Sequence, residues 1–184
     1  MAKQVTAVRT PPLAGRHFAN GHVSLEPAKP AARISLRATG RGATTYSKIL
    51  GMDLPSEPSQ VSAKGGRMAV WLGPDEWLII DEKQVVSGLM PKRGSKEISA
   101  VDISHRNTAI VVSGDAATNL LNEACPRDLS LDSFPVGTGS RTILGKAEII
   151  LLRTGRTDFR IECWRSFSDY VWDLLSEAAK DAHL

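Results

Sequence analysis

Met68-Ala-Val-Trp-Leu-Gly-Pro-Asp-Glu-Trp-Leu-Ile-Ile80 holds two apolar runs on either side of a Gly73-Pro74-Asp75-Glu76 turn. Gly, Pro and Asp each favour chain reversal, by permissive φ, by fixed φ and by side-chain bonding to the backbone. The flanking runs therefore read as strands over 67–72 and 76–80, with Trp71 and Trp77 beside the turn. The elements on each side of this hairpin decide between an alternating parallel βαβ chain and an antiparallel α+β one.

Upstream, Ile34-Ser-Leu-Arg37 alternates, placing Ile34 and Leu36 on one face of a strand and Ser35 and Arg37 on the other. Residues 42–50 suit a helix with Tyr46, Ile49 and Leu50 on one side and Gly51 at the C-cap. Residues 53–66 read as a loop punctuated by two prolines and a Gly-Gly pair. Downstream come a short helix over 82–90, a turn at 92–96 and a strand at Ile98–Ile103. The rhythm then repeats. Asn107–Ser113 is a β-branched strand. Gly114-Asp115 opens a helix with Asp115 as N-cap and Leu120 and Leu121 inward. After a loop over 124–140 come strands at 140–144, 147–153 and 158–163. A final helix over 167–180 presents Phe167, Tyr170, Val171, Leu174, Leu175 and Ala178 at helical steps. Ser168 is its expected N-cap, and Asp169 in the first turn suits the helix dipole.

The order is β-α-β-β-α-β followed by β-α-β-β-β-α. It defines an α+β chain with mixed, largely antiparallel sheets and two similar halves, a pseudo-duplicated split β-α-β arrangement. Three segments follow: a basic, Pro/Gly-rich arm over 1–33 with little regular structure, a first half over 34–104, and a second half over 105–184 ending in the C-terminal helix.

Bulk composition excludes several classes. With 184 residues, 42% hydrophobic and 23% charged, the chain matches ordinary globular proteins. No run approaches the ~18 apolar residues of a membrane span, and residues 5–14 lack a signal-peptide core. Cys125 and Cys163 read as reduced thiols, and the chain as cytoplasmic. The net charge of +3 is unevenly placed: residues 1–50 hold eight basic residues against Glu26, leaving fifteen basic and nineteen acidic residues in the remainder.

A search for chemistry finds no phosphate loop and no dinucleotide fingerprint, and Gly137-Thr-Gly-Ser140 reads as a turn. His17 and His22 sit in the arm with no neighbouring Cys or carboxylate, too few ligands for a metal. Asp102-Ile-Ser-His105 has triad letters on one short segment, whereas triads assemble from separate segments. It reads as a strand-to-strand turn. The four tryptophans, Trp71, Trp77, Trp164 and Trp172, read as core, with a partner-binding surface as the alternative. Nucleic-acid binding is disfavoured, because only Phe18 and Tyr46 are aromatic in the basic first fifty residues.

Three segments carry a resemblance: Leu72-Gly-Pro-Asp-Glu-Trp-Leu-Ile79, Val101-Asp-Ile-Ser-His-Arg106, and Arg160-Ile-Glu-Cys-Trp-Arg-Ser-Phe-Ser-Asp-Tyr-Val-Trp172. Together they resemble the gamma subunits of heterotetrameric sarcosine oxidases, over roughly residues 33–180. The resemblance implies a non-catalytic subunit of a bacterial complex that demethylates sarcosine oxidatively to glycine, with hydrogen peroxide and formaldehyde or methylenetetrahydrofolate. It implies alpha, beta and delta partner subunits. FAD, FMN, NAD and tetrahydrofolate are expected in the larger ones, with no cofactor and no metal in this chain. The implied fold is that of the folate-binding domain of glycine-cleavage aminomethyltransferase. That enzyme has paired acids on a strand that here reads Gly145-Lys-Ala-Glu-Ile-Ile150, with Glu148 alone. A stand-alone folate-binding protein using Glu148 is the alternative. The expected partner contacts are Arg9, Arg16, His17 and His22 in the arm and Gly73, Pro74, Asp75 and Glu76 in the turn.

Overall fold

The computed structural model describes residues 10–83, 86–91 and 96–181. In chain order its elements are β1 (Phe18–Ala19), β2 (Ser24–Pro27), β3 (Ala32–Ala38), α1 (Arg41–Leu50), β4 (Val61–Lys64), β5 (Arg67–Gly73), β6 (Glu76–Asp81) and β7 (Ile98–Asp102). There follow β8 (Asn107–Ser113), α2 (Ala117–Asn122), β9 (Gly139–Leu144), β10 (Ala147–Arg153), β11 (Asp158–Trp164) and α3 (Ser168–Asp181). They build a five-stranded sheet of order β4-β5-β6-β3-β7 and a six-stranded sheet of order β9-β10-β11-β8-β2-β1. Every ladder between these strands is antiparallel.

The two sheets repeat one topology. β3-α1-β4-β5-β6 and β8-α2-β9-β10-β11 take the same spatial order, the first strand lying beside the last. The strand flanking β3 is β7, which runs into β8, and the strand flanking β8 is β2, which runs into β3. Each β-β-α-β-β-β unit therefore lends its leading strand to the other unit's sheet. Two chain crossovers, β2 to β3 and β7 to β8, tie the sheets together.

Over the described residues 10–33, this corrects the reading of 1–33 as an arm with little regular structure. β2 pairs with β8 through Leu25↔Val112, and Leu13, Val23 and Leu25 are buried in the six-stranded sheet's core. Gly114 marks how closely this segment is held. Its φ is 124°, and a Cβ there would lie 2.3 Å from the His22 carbonyl oxygen. The signal was hard to read because the strands are only two and four residues long and flanked by Pro and Gly.

Other expectations also shift. The loop over 53–66 contains β4. The helix expected over 82–90 appears as a 3-10 turn at Ser87–Leu89, and residues 84–85 lie outside the described residues. Asp115 does not cap α2: Ala116 holds that position, with no side-chain cap bond. The Ser168 hydroxyl donates back to the Arg165 carbonyl at 2.8 Å instead of capping α3. By contrast α1 ends at Gly51 in the left-handed conformation, as its sequence requires.

The layers run α1, five-stranded sheet, six-stranded sheet, then α2 and α3. Ile34, Leu36, Ala69 and Ile79 pack on Tyr46 and Leu50 of α1. The opposite face of that sheet, with Val70, Leu78 and Ile80, meets Leu152 of the other sheet. The outer face of the six-stranded sheet, with Ile110, Val112, Phe159 and Ile161, packs on Leu120, Leu121, Val171 and Leu175. Central strands buried on both faces explain why their sequences read as continuous apolar runs.

One polar cluster lies in the layer between the sheets. Glu162 on β11 accepts from Arg33 Nε on β3 at 2.5 Å and from Arg33 Nη2 at 3.2 Å. Arg160, two residues away on β11, donates its Nε to the same carboxylate at 2.8 Å. The three residues are 3%, 1% and 7% exposed for Arg33, Glu162 and Arg160. Removing the shared carboxylate leaves two guanidiniums buried without their counter-charge. Glu162→Gln is therefore expected to lower unfolding stability by about 3–5 kcal/mol, read from urea denaturation. Gly114→Ala is expected to destabilise by roughly 1–3 kcal/mol, seen as a lowered melting temperature, because both its φ and its backbone contact oppose a methyl group.

Candidate functional site: the partner-facing surface

The arm residues expected to meet a partner are largely engaged within the chain. Arg16 donates to Asp173 at 2.7 Å and to Asp169 at 2.8 Å, both on α3. His17 Nδ1 lies 3.6 Å from Glu26, and the His22 carbonyl accepts from the Ala116 amide. Arg9 lies outside the described residues.

The turn behaves similarly. Gly73 ends β5 at a register shift, and the Asp75 carbonyl accepts from the Ala38 amide. Asp75 lies 3.3 Å from Arg37 Nη1. Glu76 accepts from Arg37 Nη2 at 2.9 Å and from Arg141 Nη2, on the other sheet, at 2.5 Å. Glu76 thus ties the rims of the two sheets. Pro74 and Asp75 line a cavity of about 960 Å³ against α1, whereas Arg16 lines a second, of about 650 Å³, between the crossovers. The lining residues of the two cavities do not overlap, so the two expected contact groups do not form one site.

The charge asymmetry of the sequence acquires a physical meaning here. Arg16, Arg33 and Arg37 of the basic front are each paired with acids of the later chain: Asp169 and Asp173, Glu162, and Asp75 with Glu76. Much of the front-to-body complementarity is spent inside the molecule.

The residues that could do chemistry are also accounted for. The Ser104 hydroxyl donates to Asp102 at 2.5 Å and accepts from the Arg33 amide at 2.9 Å, so Asp102 and Ser104 shape the turn, with His105 exposed beside them. Burial, with Glu162 adding to it, pushes the Cys163 thiol up to about 12. Cys125 is buried with its Sγ 3.9 Å from the Thr142 hydroxyl. Among the described residues no group of three or more His, Cys, Asp or Glu could hold a metal. The Glu148 side chain is 57% exposed, lies 4.0 Å from Arg141, and lines neither of these two cavities.

The tryptophans divide. Trp77 is buried and donates to the Pro55 carbonyl at 2.7 Å, and Trp172 is buried against α3's neighbours. Trp164 is 40% exposed, with the Arg106 guanidinium 4.3 Å from its ring centroid and Phe167 at 6.4 Å. The core reading fits the first two, and the surface alternative fits Trp164. Sequence reasoning missed both the buried Arg33–Glu162–Arg160 cluster and the Glu76 tie. The only available signal was the set of charges at strand positions that alternate with core residues.

Two antiparallel sheets face to face, each with a borrowed strand and helices outside, define an architecture shared with aminomethyltransferases. The glycine cleavage system aminomethyltransferase T from Bartonella henselae superposes with a TM-score of 0.64, over 84% of this chain and 45% of that one, at 13% identity, a likeness of fold. The chain itself belongs to the sarcosine oxidase gamma subunit family, which residues 37–181 match. It is 29% identical over 170 residues to a sarcosine oxidase subunit gamma of Corynebacterium sp. (strain P-1), covering 88% of this chain and 84% of that one. It is 30% identical over 146 residues to one from Arthrobacter sp., covering 77% and 72%. In solved structures it matches a chain of the heterotetrameric sarcosine oxidase from Corynebacterium sp. U-96, in complex with pyrrole 2-carboxylate. That TM-score is 0.80, over 90% of this chain and 88% of the other, at 26% identity. Among the described residues no helix is long and apolar enough to cross a membrane.

The buried acids give a pH prediction. Cys163 ionises near 9.0 when unfolded but near 12 when folded, and burial likewise raises Tyr46. Between those values the folded chain binds more protons than the unfolded one, so stability falls as pH rises. The urea midpoint is expected to drop from pH 9 towards 12, and to drop less steeply in Cys163→Val.

Proposed function

We propose that this chain is the gamma subunit of a heterotetrameric sarcosine oxidase and that its role is structural. In this reading the larger alpha and beta subunits hold FAD, FMN, NAD and tetrahydrofolate and carry out the oxidative demethylation of sarcosine, and a small delta subunit completes the assembly. The observation that carries it is the agreement over nearly the whole chain with a chain of a heterotetrameric sarcosine oxidase. The internal engagement of Asp102, Ser104, Asp75 and Glu76 supports a scaffolding role over a chemical one. Gly73–Glu76 then acts mainly on this chain's own shape, and Arg16 holds the N-terminal segment to α3. Partner binding falls to what remains exposed.

Co-expression with the large subunits of a sarcosine oxidase from the same organism tests this. The chain is expected to co-purify with a tagged alpha subunit in stoichiometric amount. Recovery of an active complex lacking this chain would refute the structural role. Calorimetry of the isolated chain with tetrahydrofolate is expected to give no binding heat, and heat abolished by Glu148→Ala would favour a folate-binding protein instead.

A further inference from the structure

We propose that Arg106, Trp164, Arg165 and Phe167 form the docking surface for a carboxylate-bearing segment of a larger oxidase subunit. The proposal rests on the gamma-subunit reading and names the surface it uses.

Trp164, the last residue of β11, and Phe167, three residues on, are each 40% exposed, although residues 159–163 of that strand are buried. Apolar rings of this size, clustered on a surface, mark interaction sites more often than solvated ones do. The Arg106 guanidinium carbon lies 4.3 Å from the Trp164 ring centroid, and a guanidinium held over a ring in this way can present its N–H edge to a carboxylate. Among the described residues neither Arg106 nor Arg165 has a carboxylate within ion-pair distance, a state they share with Arg41, Arg127, Arg153 and Arg156, of which Arg127 and Arg153 are hydrogen-bonded within the chain instead. Arg106 therefore brings a cation without a carboxylate partner to two exposed rings, and the exposed Arg165 follows Trp164 in the chain. Trp and Arg are the side chains that most often dominate binding energy at protein interfaces.

The patch is also fixed in place before any partner arrives. Trp164 pairs with Asn107 across the β8–β11 ladder, and the Arg165 amide donates to the Arg106 carbonyl at 2.6 Å. Backbone already fixed in this way needs no ordering on binding, which favours affinity. His105 and Asn107, on either side of Arg106, line the 650 Å³ cavity between the crossovers, together with Arg16, Lys29, Arg33 and the acid Asp102. The surface thus continues from an aromatic, cationic rim into a recess where Lys and Arg outnumber acids three to one. Its charge selects the occupant. A two-fold pairing with a second copy would set like guanidiniums against each other. A nucleic acid would need a longer basic track.

The test uses the assembled complex with a tagged alpha subunit. If the unmodified chain fails to co-purify, the gamma-subunit reading itself fails. If it co-purifies, Arg106→Glu and Trp164→Ala should each weaken its retention roughly thirty-fold, the loss typical of a hot-spot residue. The comparator Arg156→Glu carries the same charge change at an exposed turn and should bind normally. Thermal unfolding of each isolated variant separates lost docking from lost folding. Retention of folded Arg106→Glu at unmodified affinity overturns the proposal. Should Arg106→Glu not fold, Arg106→Lys in the complex is treated with a carbodiimide. An amide to an Asp or Glu of a larger subunit supports the proposal. No such link, or links only within this chain, overturns it. Self-association or oligonucleotide binding abolished by Trp164→Ala, with subunit retention unaffected, would assign the surface to those partners and also overturn it.

Discussion

Glu162 is held between Arg33 and Arg160 in the layer where the two sheets meet, and the architecture turns on that contact. A carboxylate with 1% exposure is tolerated there because three guanidinium N–H groups satisfy it. Apolar packing of Val70, Leu78, Ile80 and Leu152 is non-directional and does not by itself select one alignment of the sheets. The charge cluster adds directional contacts between β3 and β11, the kind of buried polar grouping that fixes registry in some other proteins. Glu76 repeats the device at the rim, where Arg37 of one sheet and Arg141 of the other converge on one carboxylate.

The exchange of β2 and β7 makes that register matter. Each sheet is complete only with a strand from the other unit, so neither half of the chain forms its layer alone. Arg33 lies at the start of β3, just past the first crossover, and Asn107 lies just past the second. The crossovers, the ion cluster and the cavity between them therefore share one region of the molecule. The exposed Arg106–Trp164 stack borders it, which links the clamped core to the surface proposed for a partner.

Much of this was readable beforehand and some was not, for physical reasons. The hairpin around Gly73–Glu76, α1 with its Gly51 cap, and the paired strands of the second half are local signals: turn residues, alternation, capping. The duplication was visible as rhythm. The strand exchange was not, because β2 pairs with β8 across more than eighty residues and nothing local in Ser24-Leu-Glu-Pro27 specifies a distant partner. Asp115 and Ser168 misled because a suitable cap residue does not compel a cap when the backbone enters the helix differently. The turn acids were legible as important, but their partners lie on other strands, and sequence spacing is silent about those. The net charge showed a basic front and an acidic body, and the fold shows that several of those opposite charges meet within the chain.

A double-mutant cycle between Arg33 and Glu162, using Arg33→Met, Glu162→Gln and the pair together, tests the clamp most directly. If the cluster fixes the two sheets, the single losses are strongly non-additive, with a coupling of about 1.5–3 kcal/mol from urea denaturation. Additivity within about 0.5 kcal/mol would contradict the account and assign the sheet interface to apolar packing alone.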